Sequence, residues 1–224
     1  MVFLGGGLAA PFFEEPRFCM LRLTLLLTFV AGFTDATTFV AADKLFSAHV
    51  TGNFIVFAYD LLIGADRSAY VKLLTLPVFV GAAMLAAWLD RHDRPGRLLR
   101  LEGILLLLAA ALSFFFHWKF PAAMIIVSAM AVQNAFNRLH PDLTWSATTV
   151  MTGNVTTMTV SFVHGRLARP KDKAKLEHSR HILIMAGVFL FGCLCGGFLA
   201  GYFGLAVVAL PGVIALLAYP KKRV

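Results

Sequence analysis

Two stretches of the chain share the triplet Thr-Gly-Asn: HVTGNFIVF at residues 49–57 and VMTGNVTTM at residues 150–158. The triplets are 101 residues apart in a chain of 224 residues, and each lies inside a long apolar stretch. A polar break inside lipid is costly unless it lines a cavity or is buried against protein. Paired breaks in two halves of a chain are the sequence feature that best indicates a transport site. The pattern therefore predicts a duplicated unit with one polar break in each half.

The composition around these triplets is that of a membrane protein. Hydrophobic residues make up 59% of the chain and charged residues 14%, and the mean hydropathy is +0.78. An ordinary soluble domain has about 25% charged residues, and a spanning helix needs about 17 to 25 apolar ones. We predict an all-α polytopic membrane protein that forms a single domain over residues 1–224. Its eight apolar segments are Cys19–Ala42, Leu45–Gly64, Val71–Leu89, Leu101–Trp118, Phe120–Asn137, Thr144–Val163, Ile182–Ala200 and Phe203–Tyr219.

The net charge of +8 does not indicate nucleic-acid binding, because the basic residues lie in short segments between the apolar runs. This distribution is typical of cytoplasmic loops that face anionic lipid, so the expected partner is membrane lipid and not nucleic acid. Cys193 and Cys195 lie two residues apart on a predicted helix and point to different faces, which makes them a poor metal pair. The sequence has no P-loop, HExxH motif or nucleophile elbow. We therefore predict no enzymatic activity, no cofactor and no metal.

Two topologies fit the eight segments, with internal repeats over about residues 17–118 and 119–219. If all eight cross the membrane, the repeats are parallel, and four arginines between residues 91 and 100 lie in one short outside loop. If the two triplet segments instead enter and leave on one side, six helices cross and the repeats are inverted. This second topology puts 16 of the 20 basic residues on the side of the N-terminus. Since Lys and Arg accumulate on the cytoplasmic side, we favour six spanning helices plus two re-entrant or broken segments, with both termini cytoplasmic.

Polar residues inside the apolar segments are the candidates for binding substrate or lining a pathway. In each triplet, glycine lets the chain turn, and Thr and Asn can cap a half-helix whose positive end points inward. The alternative is a packing contact between helices in which Thr and Asn bind neighbouring backbone. Asn134 lies in the fifth segment where Asp35 lies in the first, 99 residues earlier. The candidates are Asp35, Thr51, Gly52, Asn53, Gln133, Asn134, Thr152, Gly153 and Asn154.

Asp35 and His49 are the candidates for a proton relay. A carboxylate deep in a spanning segment is a functional hypothesis by default, because its burial costs at least a few kcal/mol. The alternative for Asp35 is a structural acid that accepts hydrogen bonds from the threonines beside it at positions 34, 37 and 38 or from the opposite repeat. His49 precedes the first triplet and could pass protons. A histidine inside a membrane protein is nevertheless more often a structural hydrogen-bonding residue.

Four motifs resemble those of the YoaK family of bacterial inner-membrane proteins, which carry a domain of unknown function. They are AGFTDATTFV at residues 31–40, HVTGNFIVF, AVQNAFNR at residues 131–138 and VMTGNVTTM. The resemblance extends over about residues 21–218. It implies a bacterial inner (plasma) membrane location and about six spanning segments, and it implies no substrate.

The function that we expect is that of a small secondary transporter or channel-like permease, with proton coupling through Asp35. Its substrate would be a small molecule or an ion, and the triplets would meet near the middle of the membrane. The alternative is a membrane scaffold or a subunit of a larger complex that binds partner helices through small-residue faces. The sequence leaves open whether the chain forms a homo-oligomer.

Overall fold

The computed structural model describes residues 15–64, 68–91, 95–149, 151–167 and 172–218, and these residues form helices and connecting segments without a strand. The eight α-helices of the described residues are α1 (Glu15–Ala41), α2 (Gly52–Leu62), α3 (Ser68–Leu89), α4 (Pro95–Phe116), α5 (Lys119–Leu139), α6 (Met151–Leu167), α7 (Lys173–Phe203) and α8 (Ala209–Ala218). Short 3₁₀ turns cover Pro141–Leu143 and Gly204–Val208.

The described residues contain five stretches that are long and apolar enough to cross a membrane, and α2 is a shorter apolar helix. Four of the stretches lie in α1, α3, α4 and α5, and the fifth runs through α7 and α8 over Lys173–Ala218. A helix of 27 residues such as α1 is about 40 Å long, which exceeds the hydrocarbon thickness of about 30 Å. The prediction of an all-helical, multi-pass membrane protein is confirmed at this level.

The two triplet segments are not continuous helices. Residues 42–51 and 144–149 are irregular, and the helix that follows each of them begins within one residue of its triplet, at Gly52 for α2 and at Met151 for α6. The same order of elements thus occurs in both halves: a long helix, an irregular segment, a short helix and then a second long helix. The structure also differs from the predicted boundaries in α7, which begins at Lys173, because the basic residues after position 172 form its first turns.

Packing between α1 and α7 brings two backbones together through glycine. An added Cβ at Gly192 would lie 2.6 Å from the backbone oxygen of Phe29. An added Cβ at Gly32 or Gly196 would overlap a backbone oxygen of the facing helix, that of Phe189 or Phe33. Small residues allow such close approach, which drives helix association where lipid is as apolar as the side chains. The α1–α7 pair is therefore the tightly packed support on which the site near Asp35 is built.

Candidate functional site

Asp35 is held by the irregular segment that follows its own helix. The side chain is buried, and its Oδ1 accepts hydrogen bonds from the backbone N–H groups of Ser47 and Ala48, both at 2.8 Å. Its Oδ2 lies 2.6 Å from Nδ1 of His49. Asp35 is six residues before the end of α1 at Ala41, so the chain turns back along the helix by about 9 Å to make these contacts.

The threonines beside Asp35 do not neutralise it. Their hydroxyl groups donate to backbone carbonyl oxygens, Thr34 to Val30, Thr37 to Gly196 and Thr38 to Thr34. These bonds satisfy the hydroxyls within the α1–α7 pair. The carboxylate is bound instead by residues 47–49, which the sequence could not identify as its partners.

His49 is half-buried beside Asp35, and its ring meets the ring of Phe189 edge-on, with the centroids 5.8 Å apart. The hydrogen bond to Asp35 raises the pKa of His49 above its ordinary value; burial opposes this shift, and the negative charge of Asp35 adds to it. His49 lies outside the spanning helices, in the connection between α1 and α2. The two residues proposed for a proton relay are therefore in direct contact.

The asparagine of the first triplet braces the chain. Asn53 is fully buried, and its Oδ1 accepts from the N–H of Phe46 at 2.8 Å. Its Nδ2 donates to the backbone oxygen of Phe46 at 2.8 Å and to Oγ1 of Thr75 at 3.0 Å. Thr51 is exposed and makes no capping hydrogen bond to α2, contrary to the expected half-helix cap. An added Cβ at Gly52 would lie 3.0 Å from the ring of Phe46, so glycine allows the turn to pack closely.

The second triplet repeats this brace at matched positions. Nδ2 of Asn154 donates to the backbone oxygen of Ala147 at 2.7 Å, and Oδ1 of Asn154 accepts from the hydroxyl of Ser146 at 2.5 Å. In both halves the asparagine thus binds the backbone seven residues before it. Thr152 and Gly153 are exposed in the first turn of α6. The packing alternative describes both asparagines well.

Gln133 and Asn134 tie the second irregular segment to α5. Nε2 of Gln133 donates to the backbone oxygen of Leu27 at 2.8 Å and to the hydroxyl of Thr148 at 2.7 Å. Oδ1 of Asn134 accepts from the hydroxyl of Thr149 at 2.6 Å. Asn134 therefore occupies the role of Asp35, since each binds the segment that precedes a triplet. A neutral amide thus holds the second irregular segment, whereas a carboxylate holds the first.

A cavity of about 630 Å³, open to the surface of the helix bundle, adjoins the Asp35–His49 pair. It lies between α1, α7 and the connection before α2, and of the predicted site residues it brings together Asp35, His49 and Gly52. The residues that line it are Asp35, Ala36, Phe39, Val40, Phe46, His49, Gly52, Phe189, Cys193 and Gly197. Neither Gln133, Asn134 nor the second triplet lines this cavity. Among the described residues, α2 packs on α3 and α6 packs on α7, and α2 and α6 share no extended interface.

Several buried ionisable residues were not predicted. Nζ of Lys72 in α3 lies 2.5 Å from Oδ2 of Asp60 in α2, with both side chains buried. Asp90 and His140 form a second buried pair at 2.9 Å, where α3 and α5 end. Glu102 in α4 is fully buried, and neither of its carboxyl oxygens has a hydrogen-bond partner among the described residues. Asp35 was identified because it is an acid inside an apolar segment. Glu102 has the same property and could have been predicted in the same way.

A family model described as "Protein of unknown function (DUF1275)" matches residues 23–219 of the chain. No curated protein and no solved structure matches it. The match agrees with the resemblance of the sequence motifs to a family that carries a domain of unknown function.

Proposed function

We propose that this chain, which belongs to the DUF1275 family of proteins of unknown function, is a small proton-coupled permease in which Asp35 and His49 carry the proton. The narrower relation to the YoaK proteins and a location in the bacterial inner membrane are part of this proposal. The observation that carries it is the contact of a buried carboxylate in a spanning helix with a histidine, at the wall of a cavity of about 630 Å³. A cavity of this volume is in the range of small-molecule sites.

Three contacts support a re-entrant path for the first triplet segment. Asp43, just after α1, forms a salt bridge of 3.0 Å with Lys119 at the start of α5. Nζ of Lys44 lies 4.9 Å from the ring centre of Tyr59, near the end of α2. Between these points the chain reaches back to Asp35 through His49. In this topology α2 leaves the membrane on the side where α1 ends, and α3 crosses next.

The second triplet segment follows the same argument from the opposite side. The α1 and α7 helices run parallel, because Gly32 approaches Phe189 and Gly197 approaches Val40. The α5 helix starts where α1 ends, so α5 ends on the side where α7 starts. The α6 helix between them would then enter and leave on one side. In the proposed topology, a reversal at Gly204, with φ of +63°, divides the last apolar stretch into two crossings. These contacts support the proposal of six crossings and inverted repeats, which puts 16 of the 20 basic residues on the cytoplasmic side.

The scaffold alternative is less well supported by the packing. It relied on small-residue faces for binding partner helices, and three glycines with the required close approach, Gly32, Gly192 and Gly196, are used between α1 and α7 of this chain. Purification of the protein at its natural level with a stoichiometric partner would favour the scaffold.

Proton flux in liposomes tests the permease. The purified protein is reconstituted with a pH-sensitive dye inside, and gradients of a panel of small solutes are applied. We expect a solute-dependent change of internal pH that Asp35→Asn abolishes. His49→Gln should reduce the rate of this change about tenfold or more, because a proton-transfer group contributes at least that much to a rate. Asp43→Asn is the matched control, because Asp43 is an exposed acid paired with Lys119. Proton flux that is the same in Asp35→Asn and wild type would contradict the proposal.

A further inference from the structure

The cavity beside Asp35 combines one carboxylate with aromatic walls. Phe39 and Phe46 lie with their ring centres 5.0 Å apart, and Phe189 lines the same cavity. Ala36 and Gly197 also line the cavity, and they take up little of it because they have little or no side chain. Aromatic faces attract cations through the ring quadrupole, and such surroundings are the known means of binding quaternary ammonium groups. Aromatic walls around a single acid therefore favour a ligand that is both apolar and positively charged.

The two oxygens of Asp35 are bound in different ways. Oδ1 accepts from two backbone N–H groups, which fix the carboxylate whether or not a ligand is present. Among the described residues, the only hydrogen-bond partner of Oδ2 is His49. His49 is half-buried, so it can turn away without unpacking a helix. Oδ2 is therefore the position that a ligand cation can take over.

We propose that this cavity binds a hydrophobic organic cation, which competes with the proton on His49 for Asp35. The proposal rests on the proposed function and names its substrate class. When His49 is protonated, it neutralises Asp35 and the cavity wall has no net charge. When His49 is neutral, the carboxylate is available to the cation. Binding to the protonated form therefore releases one proton from His49 to the solvent.

The pH dependence follows from the titratable groups that face the cavity. These are Asp35 from α1, His49 from the connection before α2 and the thiol of Cys193 from α7. Cys193 is neutral when protonated and does not compete for Asp35. Competition between one proton and one cation lowers the apparent affinity by up to about tenfold for each unit of acidification. The cation should thus bind more tightly at pH 8 than at pH 6.

The test is binding of tetraphenylphosphonium to the purified full chain in detergent, measured by equilibrium dialysis and calorimetry. Triphenylphosphine oxide serves as a neutral probe of similar shape, and tetraphenylborate as an anionic one. We expect saturable binding of the cation and at least about tenfold weaker binding of both other probes. Calorimetry in buffers of different ionisation enthalpy should measure the release of a proton below pH 7.

Three variants separate the contributions. Asp35→Asn should weaken cation binding at least about tenfold. His49→Gln should retain binding and lose its dependence on pH. Gly197→Leu should fill the cavity, because a Cβ there lies 3.8 Å from Val40 in ordinary contact and a longer side chain extends among the lining residues. Gly201→Leu is the matched control, since its Cβ meets nothing within 4 Å and Gly201 is not among the cavity residues.

Equal binding of the three probes would overturn the inference, because the site would then be apolar without charge selection. Cation binding that survives both Asp35→Asn and Gly197→Leu would overturn it as well. Cation binding without proton flux in liposomes would support the site and contradict the permease. Flux of other solutes without cation binding would support the permease and contradict the assigned substrate class.

Discussion

Alanine should have opposite effects at the neighbouring glycines Gly196 and Gly197 of α7. A Cβ at Gly196 would overlap the backbone oxygen of Phe33. A backbone atom inside a helix cannot move aside as the end of a flexible side chain could. A Cβ at Gly197 would make only ordinary contacts, 3.8 Å from Val40 and 4.0 Å from Ala36. Gly196→Ala should therefore push α1 and α7 apart, whereas Gly197→Ala should leave them packed.

The size of the difference can be worked out from two effects. Alanine is more favourable than glycine inside a helix by about 1 kcal/mol, and this gain is the same at both positions. The difference between the two variants is therefore the steric cost alone. Overpacking costs about 1 to 3 kcal/mol, and the upper end applies because Gly32 and Gly192 lie in the same interface and prevent a local adjustment. We expect Gly197→Ala to be about 3 kcal/mol more stable than Gly196→Ala.

Unfolding by titration with dodecyl sulfate in mixed micelles, followed by circular dichroism, measures this difference. Both variants carry the same added methyl group one residue apart, so each controls for the other. Equal stability of the two variants would refute the close approach of α1 and α7. It would also weaken the argument for the position of Asp35, because Asp35 lies on α1 and the α1–α7 contact fixes where α1 sits.

Three further predictions concern buried charge, pH and topology. Glu102→Leu should leave the free energy of unfolding unchanged or raise it by about 1 to 4 kcal/mol, because an apolar side chain replaces a buried carboxyl group without a partner. Glu177→Leu is the exposed control. A large loss of stability in Glu102→Leu would contradict the prediction. The stability that His49 contributes through its raised pKa should be fully present below about pH 6.5 and should be lost as the pH rises through the folded-state pKa. The difference in melting temperature between wild type and His49→Gln should therefore shrink from pH 6 to pH 9. On a background without native cysteines, Arg91→Cys should react with an impermeant maleimide from the cytoplasm and Ile63→Cys from the outside, and the reverse pattern would support eight crossings.

Much of the fold could be predicted from the sequence, because lipid restricts the chain to helices and the apolar runs have the length of a membrane crossing. The breaks at both triplets were also predicted, since Thr-Gly-Asn is polar where the chain is otherwise apolar. The role of the asparagines could not be predicted. Asn53 and Asn154 bind backbone seven residues earlier, and a turn of that length leaves no periodic pattern in the sequence.

The site was predicted in part for the same reason. Asp35 and His49 are 14 residues apart, and their contact depends on how the chain folds back between them, which no spacing rule specifies. Asp60 and Lys72 lie inside the second and third apolar segments, and the buried pair that they form between α2 and α3 was not predicted. An ion pair between neighbouring helices needs the helix rotation to be known, and segments that are apolar all round give little indication of it.

The comparison of the two halves supports the proposed role of Asp35 and His49. Both halves use an asparagine to brace the segment before the triplet, and both use a polar side chain of the preceding long helix to hold that segment. In the second half that side chain is Asn134, a neutral amide, and residue 150 is valine where the first half has His49. Since Asn134 holds its segment without charge, the brace itself does not require a carboxylate. The charge of Asp35 and its contact with His49 therefore go beyond what holding the segment requires, which is the physical reason for the proposal that they handle protons and cations.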